Sequence, residues 1–278
     1  MTDTRVGRGK LYVVGTPIGN LEDLSPRARD VLATADIIAA EDTRHTRGLL
    51  SRIGVESRLI AYHEHNETER VPELMERLEH GLSVALVSDA GTPLISDPGW
   101  RLVNAAQAAG LCVIPVPGPC AAVVALSAAG LPTDHFVFEG FLPRGATARA
   151  QRLEWLRREQ RTLVFYEAVH RVAATLEALR VAFGGHRRAA LARELTKVHE
   201  QIATGSLDEV AARIDAGIPL LGEFVIVVAG AAATTPDEAE AQRIYALLAA
   251  ELPPGQALQL TAAITGVSRN ALYRLTRI

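Results

Sequence analysis

Five short apolar runs fall within the first 116 residues, each followed by a polar stretch with helical spacing, and this alternation constrains the fold more than any other feature. "LYVVG" (11–15), "DIIAA" (36–40), "RLIAY" (58–62), "SVALVS" (83–88) and "CVIPV" (112–116) read as buried strands. The segments between them carry helix punctuation. Ser25 stands as a cap before Pro26 at the first helical position of "SPRARDVLATA", and Gly81 and Gly110 stop two later helices. Strands alternating with helices call for a mostly parallel sheet covered on both faces.

After "PVPGP" (115–119), the candidate linker, the texture changes. "HFVFEGFL", "TLVFYEA", "RRAALARE", "EQIATG" and "EFVIVVAG" read as strands, with helical spans at 145–160, 170–183 and 206–216. That predicts a second α/β domain with hairpin-like, mixed pairing. "AAATTPDEAEAQ" then reads as a flexible connector into a short helical tail. The expected domains are 8–117, 118–230 and 236–278.

The composition excludes several classes. With 48% hydrophobic and 22% charged residues, the 278-residue chain is globular rather than disordered. The polar start predicts no signal peptide, and runs such as "CAAVVALSAAGL" are too short for a bilayer, so a cytoplasmic protein with no membrane role is expected. Cys112 and Cys120 have no zinc or disulfide spacing, and neither His63-Glu64-His65 nor His199 supplies one, so no metal is expected. No GxSxG occurs, and Cys120 has no flanking histidine to activate it. The net charge of −3 gives no global pointer to nucleic acid, but six arginines between Pro143 and Arg161 face only Glu154 and Glu159. They form either a solvated helix laced by pairs such as Glu154 with Arg158, or a phosphate-tracking surface.

Chemistry concentrates in loops at the carboxyl ends of strands, where open α/β sheets bind ligands. "GTPIGNLEDLS" (15–25) has neither GxxxxGK[ST] nor GxGxxG, yet its glycines admit a close backbone approach. "AEDTRHT" (40–46) gathers Glu41, Asp42, Arg44 and His45; Asp42 or Thr43 could equally cap a helix, and Arg44 could be a structural ion pair. In "LVSDAGTPLISDPGW" (86–100), Asp89 suits ribose hydroxyls or backbone amides, and Ala90, Gly91 and Thr92 are small enough for an adenosine to lie against. Ser96-Asp97-Pro98 reads as the cap of the next helix, making Asp97 structural. "YEAVHR" (166–171) and "ARELTKVHE" (192–200) add charge in the second half. Near the end, "TGVSRNALYRL" has helix-turn-helix grammar, with Ser268 as cap and Arg269, Asn270, Tyr273 and Arg274 on an exposed face.

In order, "GTPIGNLEDLSPRA", "AEDTRHT", "LVSDAGTPLISDPG", "PVPGPCA", "GFLPR", "YEAVHR", "RELTKVHE" and "GEFVIVVAG" resemble the ribosomal RNA small subunit methyltransferase I branch of the tetrapyrrole (precorrin-type) methylase superfamily, along nearly the whole chain. The resemblance implies two α/β domains of the tetrapyrrole-methylase type with S-adenosylmethionine in the cleft between them, a short helical C-terminal domain, and a homodimer. It implies 2′-O-methylation of a cytidine in the decoding region of 16S rRNA, on the small ribosomal subunit. Carried over by position, it places Ile18, Asp89, Ala90, Gly91, Thr92 and Ile95 at the cofactor from the first domain. Cys120 and Ala121 follow the linker, and Tyr166, Ala168, Gly222 and Glu223 come from the second domain. "GTPIGN" and "SDAGTP" depart from the Gly-rich first loop and Gly-Asp-Pro of the cobalamin-pathway relatives.

A ribose hydroxyl is a poor nucleophile, so a base or a cation that lowers its pKa is expected. Asp42, Lys197 and Glu200 are the candidates, with Arg44 as a phosphate or carboxylate clamp. Aromatic residues are only 5%, so shape and phosphate contacts should dominate RNA recognition, through Arg144, Arg149, Arg152, Arg269 and Arg274. The alternatives are a tetrapyrrole or protein substrate on the same fold, or a DNA-binding regulator using the terminal hairpin.

Overall fold

The computed structural model describes residues 9–232 and 238–276. Residues 8 and 236, where two of the expected domains begin, lie outside these. The chain divides into two compact units between Gly230 and Ala231.

The first unit opens with strands β1 (Lys10–Val14), β2 (Ile37–Ala40), β3 (Leu59–Ala61), β4 (Val84–Val87) and β5 (Cys112–Val116). They pair entirely in parallel, in the order β3-β2-β4-β1-β5. Helices α1 (Pro26–Thr34), α2 (Thr43–Ile53), α3 (Glu67–Glu79) and α4 (Trp100–Ala108) make the crossovers. Alternation along each strand sorts the two faces. Ile37, Ala39, Val84 and Leu86 pack with Leu74 and Leu78 of α3 and Leu102 of α4. Ile38, Ala40, Ala85 and Val87 pack with Leu32 of α1 and Leu50 and Ile53 of α2.

β1 and β4 are neighbours whose chains leave in opposite directions, β1 toward β2 and β4 toward β5. Right-handed crossovers therefore send α1 and α4 to opposite faces, and the loops after β1 and β4 stand side by side at a topological switch point.

The "PVPGP" segment is not a slack tether. Pro115 and Val116 belong to β5, and Gly118 packs against Gly15 so closely that a Cβ on Gly15 would sit 2.7 Å from the Gly118 backbone. Helix α5 (Ala121–Ala128) follows at once.

The second sheet comprises β6 (Phe136–Phe141), β7 (Thr162–Ala168), β8 (Arg188–Arg193), β9 (Gln201–Ser206) and β10 (Glu223–Val228), in the order β6-β7-β10-β8-β9. Only β6 with β7 is parallel, so the pairing is mixed. One face packs on α6 (Ala146–Leu156), α7 (Val172–Phe183) and α8 (Leu207–Asp215), around Phe165, Leu176, Leu191 and Ile226. The other face, through Val164, Ala190, Ala192 and Val225, packs on α5 and reaches Ile18 of the first-strand loop. One sheet thus supplies loop ends and the other a floor.

Among its described residues the second unit has three helices, α9 (Glu238–Ala249), α10 (Pro254–Thr265) and α11 (Arg269–Thr276). Ala241, Leu258, Val267 and Leu272 form its small core. Gly266 takes the left-handed turn at φ 72°, and the Ser268 hydroxyl accepts from the Ala271 amide at 3.2 Å. Arg269, Asn270, Tyr273 and Arg274 are exposed.

Candidate functional site

Four loops of the first sheet are laced together above the switch point. Thr16 and Gly91 exchange backbone hydrogen bonds of 2.8 and 3.0 Å. The Asp42 amide donates to the Asp89 carboxylate at 3.0 Å, and the Asp89 amide donates to Glu41 at 3.3 Å. The Thr92 hydroxyl donates to the Pro119 carbonyl at 3.2 Å. From the opposite sheet, the Tyr166 hydroxyl accepts the Ala122 amide at 3.1 Å, fixing the start of α5. Phe138 and Phe141 meet the Tyr166 ring edge-on, with centroids 4.9 and 5.8 Å away.

These loops enclose a cavity of about 490 Å³. All twelve positions expected at a cofactor line it. Ile18, Asp89, Ala90, Gly91, Thr92 and Ile95 come from the first sheet's loops, and Cys120 and Ala121 from the start of α5. Tyr166, Ala168, Gly222 and Glu223 come from the second sheet. Small residues keep it open: a Cβ on Gly91 would meet the Ile18 side chain at 3.3 Å.

Glu41, Asp97 and Phe141 also line the cavity, and sequence reasoning did not place them there. Asp97 does not cap α4. Gly99, at φ 137°, precedes that helix, and its amide is taken by Glu67 at 2.8 Å, far upstream in the chain. Leu94 and Ser96 hold left-handed φ values of 75° and 65°, which turn the loop so that Asp97 faces inward. Non-glycine residues rarely adopt that conformation, and such strain gathers at functional sites. Burial, with Glu41 and Asp89 nearby, pushes the Asp97 carboxyl up to about 6. Burial, with Asp89 beside it, also raises Glu41. The cavity therefore holds carboxyl groups at an electrostatic cost, as ligand sites do. The only sequence signal for Asp97 was the density of Gly, Pro and Asp around it.

Glu167 anchors the floor from behind. It is 2% exposed, accepts from Thr175 at 2.6 Å and from the Ala168 amide at 2.8 Å, and lies 3.3 Å from the Arg171 guanidinium.

The expected catalytic residues separate. Asp42 caps α2, accepting from the Arg44 amide at 2.8 Å, and binds the Arg44 guanidinium through both oxygens. These bonds hold its carboxyl far below the usual range, so it is a poor proton acceptor. Arg44 is 87% exposed at the side chain and lines a second cavity beside the first. Lys197 lines that second cavity too, paired with Glu194 at 2.8 Å and Glu223 at 3.1 Å. Burial alone would lower its pKa, but these two carboxylates raise it, so Lys197 is a cation and not a base. Glu200 accepts the Thr196 amide within its own turn and lines neither cavity.

Of the arginines expected at RNA, Arg152 is held by Glu139 at 2.8 and 3.0 Å and stacks over Trp155. Arg144 is exposed and Arg149 half-buried. Glu154 pairs with Arg157, not Arg158, at 3.6 Å. Among the described residues no cluster of His, Cys, Asp and Glu has metal-binding geometry, and no helix is long and apolar enough to cross a membrane.

Residues 10–211 match the model of the tetrapyrrole (corrin/porphyrin) methylases, and residues 235–276 match that of the RsmI C-terminal HTH domain. Ribosomal RNA small subunit methyltransferase I of Xylella fastidiosa is 54% identical, over 95% of this chain and 98% of that protein. The chain belongs to the ribosomal RNA small subunit methyltransferase I family. The Pseudomonas aeruginosa member is 53% identical over 96% of each chain. This methyltransferase family shares its fold with uroporphyrin-III C-methyltransferase from Thermus thermophilus, solved in complex with S-adenosyl homocysteine. The TM-score is 0.55 at 18% identity, covering 79% of this chain and 97% of that one. The cavity thus belongs to a methyltransferase.

Proposed function

We propose that this enzyme transfers the methyl group of S-adenosylmethionine to the ribose 2′-oxygen of a cytidine in the decoding region of 16S rRNA, within the assembled small subunit. The observation that carries the reading is the cavity at the switch point, lined by every residue that the resemblance assigns to the cofactor, in a chain 54% identical to ribosomal RNA small subunit methyltransferase I of Xylella fastidiosa. A cytoplasmic homodimer is the accompanying reading.

The residues fit S-adenosylmethionine. Ala90, Gly91, Ala121 and Ala168 leave room for a flat, rigid body, and Glu41, Asp89 and Asp97 offer negative charge to a cation. When bound, the cofactor supplies an electrophilic methyl group on a sulfonium. The protein must hold the 2′-oxygen in line, exclude water and remove its proton. Of the cavity's carboxyls, Asp97 is best matched to take that proton, because a base near the working pH combines availability with driving force. Lys197, kept charged by Glu194 and Glu223, stabilises developing negative charge on the ribose oxygen. Phe141, 55% exposed at the cavity, offers a face for an unstacked base, so recognition does not rest on phosphates alone. Arg269 and Arg274, on the exposed face of the C-terminal unit, serve as further RNA contacts.

The test uses labelled S-adenosylmethionine with small subunits that lack the mark, and separately with naked rRNA. Label at one decoding-region cytidine, protected from alkaline cleavage as 2′-O-methyl ribose is, supports the reading. Cofactor binding without transfer to either RNA overturns it.

A further inference from the structure

The second cavity, about 370 Å³, shares Ile18, Asp89, Ala90 and Glu223 with the first, so the two are continuous. One of its walls is a single face of α2: Arg44, Gly48 and Arg52 recur every fourth residue, with His45 and Leu49 alongside. Lys197 closes the opposite side. The helix, "TRHTRGLLSRI", contains three arginines and a histidine and no acidic residue, in a chain whose net charge is −3. Arg52 has no ion pair among the described residues.

Gly48 is the telling residue. It sits in the middle of α2, where glycine weakens a helix relative to alanine. It is exposed, and a Cβ built there meets nothing within 4 Å. Helical φ needs no glycine, and neither does packing. Other glycines lining the cavities do have a reason inside the protein: a Cβ on Gly19 would run into the Lys197 side chain, and one on Gly222 into Glu194. A glycine that the folded chain does not need, on a basic groove opening into a reaction cavity, points to a backbone approached from outside.

We propose that this face of α2 seats the sugar–phosphate backbone of the rRNA strand next to the target nucleotide, with Gly48 allowing van der Waals approach and Arg44 and Arg52 flanking the phosphates. The inference rests on the ribosomal RNA reading above and adds where the strand enters. The anionic residues of the groove, Asp89 and Glu223, lie at the seam with the first cavity, so phosphates are steered along α2 and the ribose toward the seam.

The test compares wild type with Gly48→Ala, Arg52→Ala and Arg47→Ala, the last on the same helix but lining a different surface. Melting temperature, S-adenosylmethionine affinity, oligomeric state and KM for small subunits are measured for each. Gly48→Ala is expected to melt no lower than wild type and to bind the cofactor normally, yet to raise KM for the subunit at least fivefold. Arg52→Ala should raise KM several-fold and make its salt dependence shallower by about one phosphate contact. Arg47→Ala should match wild type. Wild-type KM in both Gly48→Ala and Arg52→Ala overturns the proposal. A Gly48→Ala protein that changes oligomeric state instead also overturns it, assigning the face to a second copy. If wild type transfers no methyl group to subunits, the functional reading fails instead, which the wild-type arm reports directly.

Discussion

Replacing Asp97 by Asn should make the protein more stable and the enzyme worse. An isolated aspartate titrates near 3.8, whereas burial with Glu41 and Asp89 nearby holds Asp97 at about 6. Between those values the native state binds a proton that the unfolded chain has released, so stability falls as pH rises through the window. Above pH about 6 the full penalty applies. Unscreened, it would be about 3 kcal/mol at neutral pH. Asp97 is only partly withdrawn from solvent, so we expect roughly a third of that, about 1 kcal/mol. Urea unfolding at pH 8 should therefore show Asp97→Asn about 1 kcal/mol more stable than wild type, with the difference vanishing near pH 4. Methyl transfer should be slowed about a hundredfold or more, as loss of a general base requires. The wild-type rate should fall off below pH about 6. An Asp97→Asn protein less stable than wild type at pH 8, or one with full turnover, would refute the reasoning.

Three further outcomes follow from the same geometry. Tyr166→Phe leaves the Ala122 amide without its acceptor at the cavity wall, and should cost about 1–3 kcal/mol, read by calorimetry as weaker cofactor binding or lower stability. Gly15→Ala drives a methyl group into the Gly118 backbone, and should destabilise by about 1–3 kcal/mol while loosening the cofactor site, measured by denaturant titration and equilibrium dialysis. Thr175→Val removes a donor from the buried Glu167 carboxylate, and should cost about 1.5–3 kcal/mol, seen as a melting point lower by several degrees.

The sequence by itself determined the sheets. Continuous apolar runs such as "DIIAA" and "SVALVS" commit each strand to two buried faces, and the observed strands fall within two residues of those runs. Local chemistry was equally legible where it acts within a few residues: Ser25 and Ser268 both cap as expected. The motif positions around the cofactor were legible because a resemblance carries position in the chain, and the fold then brings those positions together.

What only the tertiary structure decided is which way particular side chains face. Asp97 looked like a cap because Ser-Asp-Pro is cap grammar, but Glu67 takes the Gly99 amide and the left-handed turns at Leu94 and Ser96 swing Asp97 into the cavity. Asp42 and Glu200 looked available for chemistry, and each is occupied by a backbone amide near it in the chain. Arg152 looked free for phosphate until Glu139, on a neighbouring strand, claimed it. Gly48 carried no local signal at all, since a helical glycine acquires meaning only once its surroundings are known to be open. Such pairings are settled by competition among groups distant in sequence, and a local pattern contains only one of the competitors.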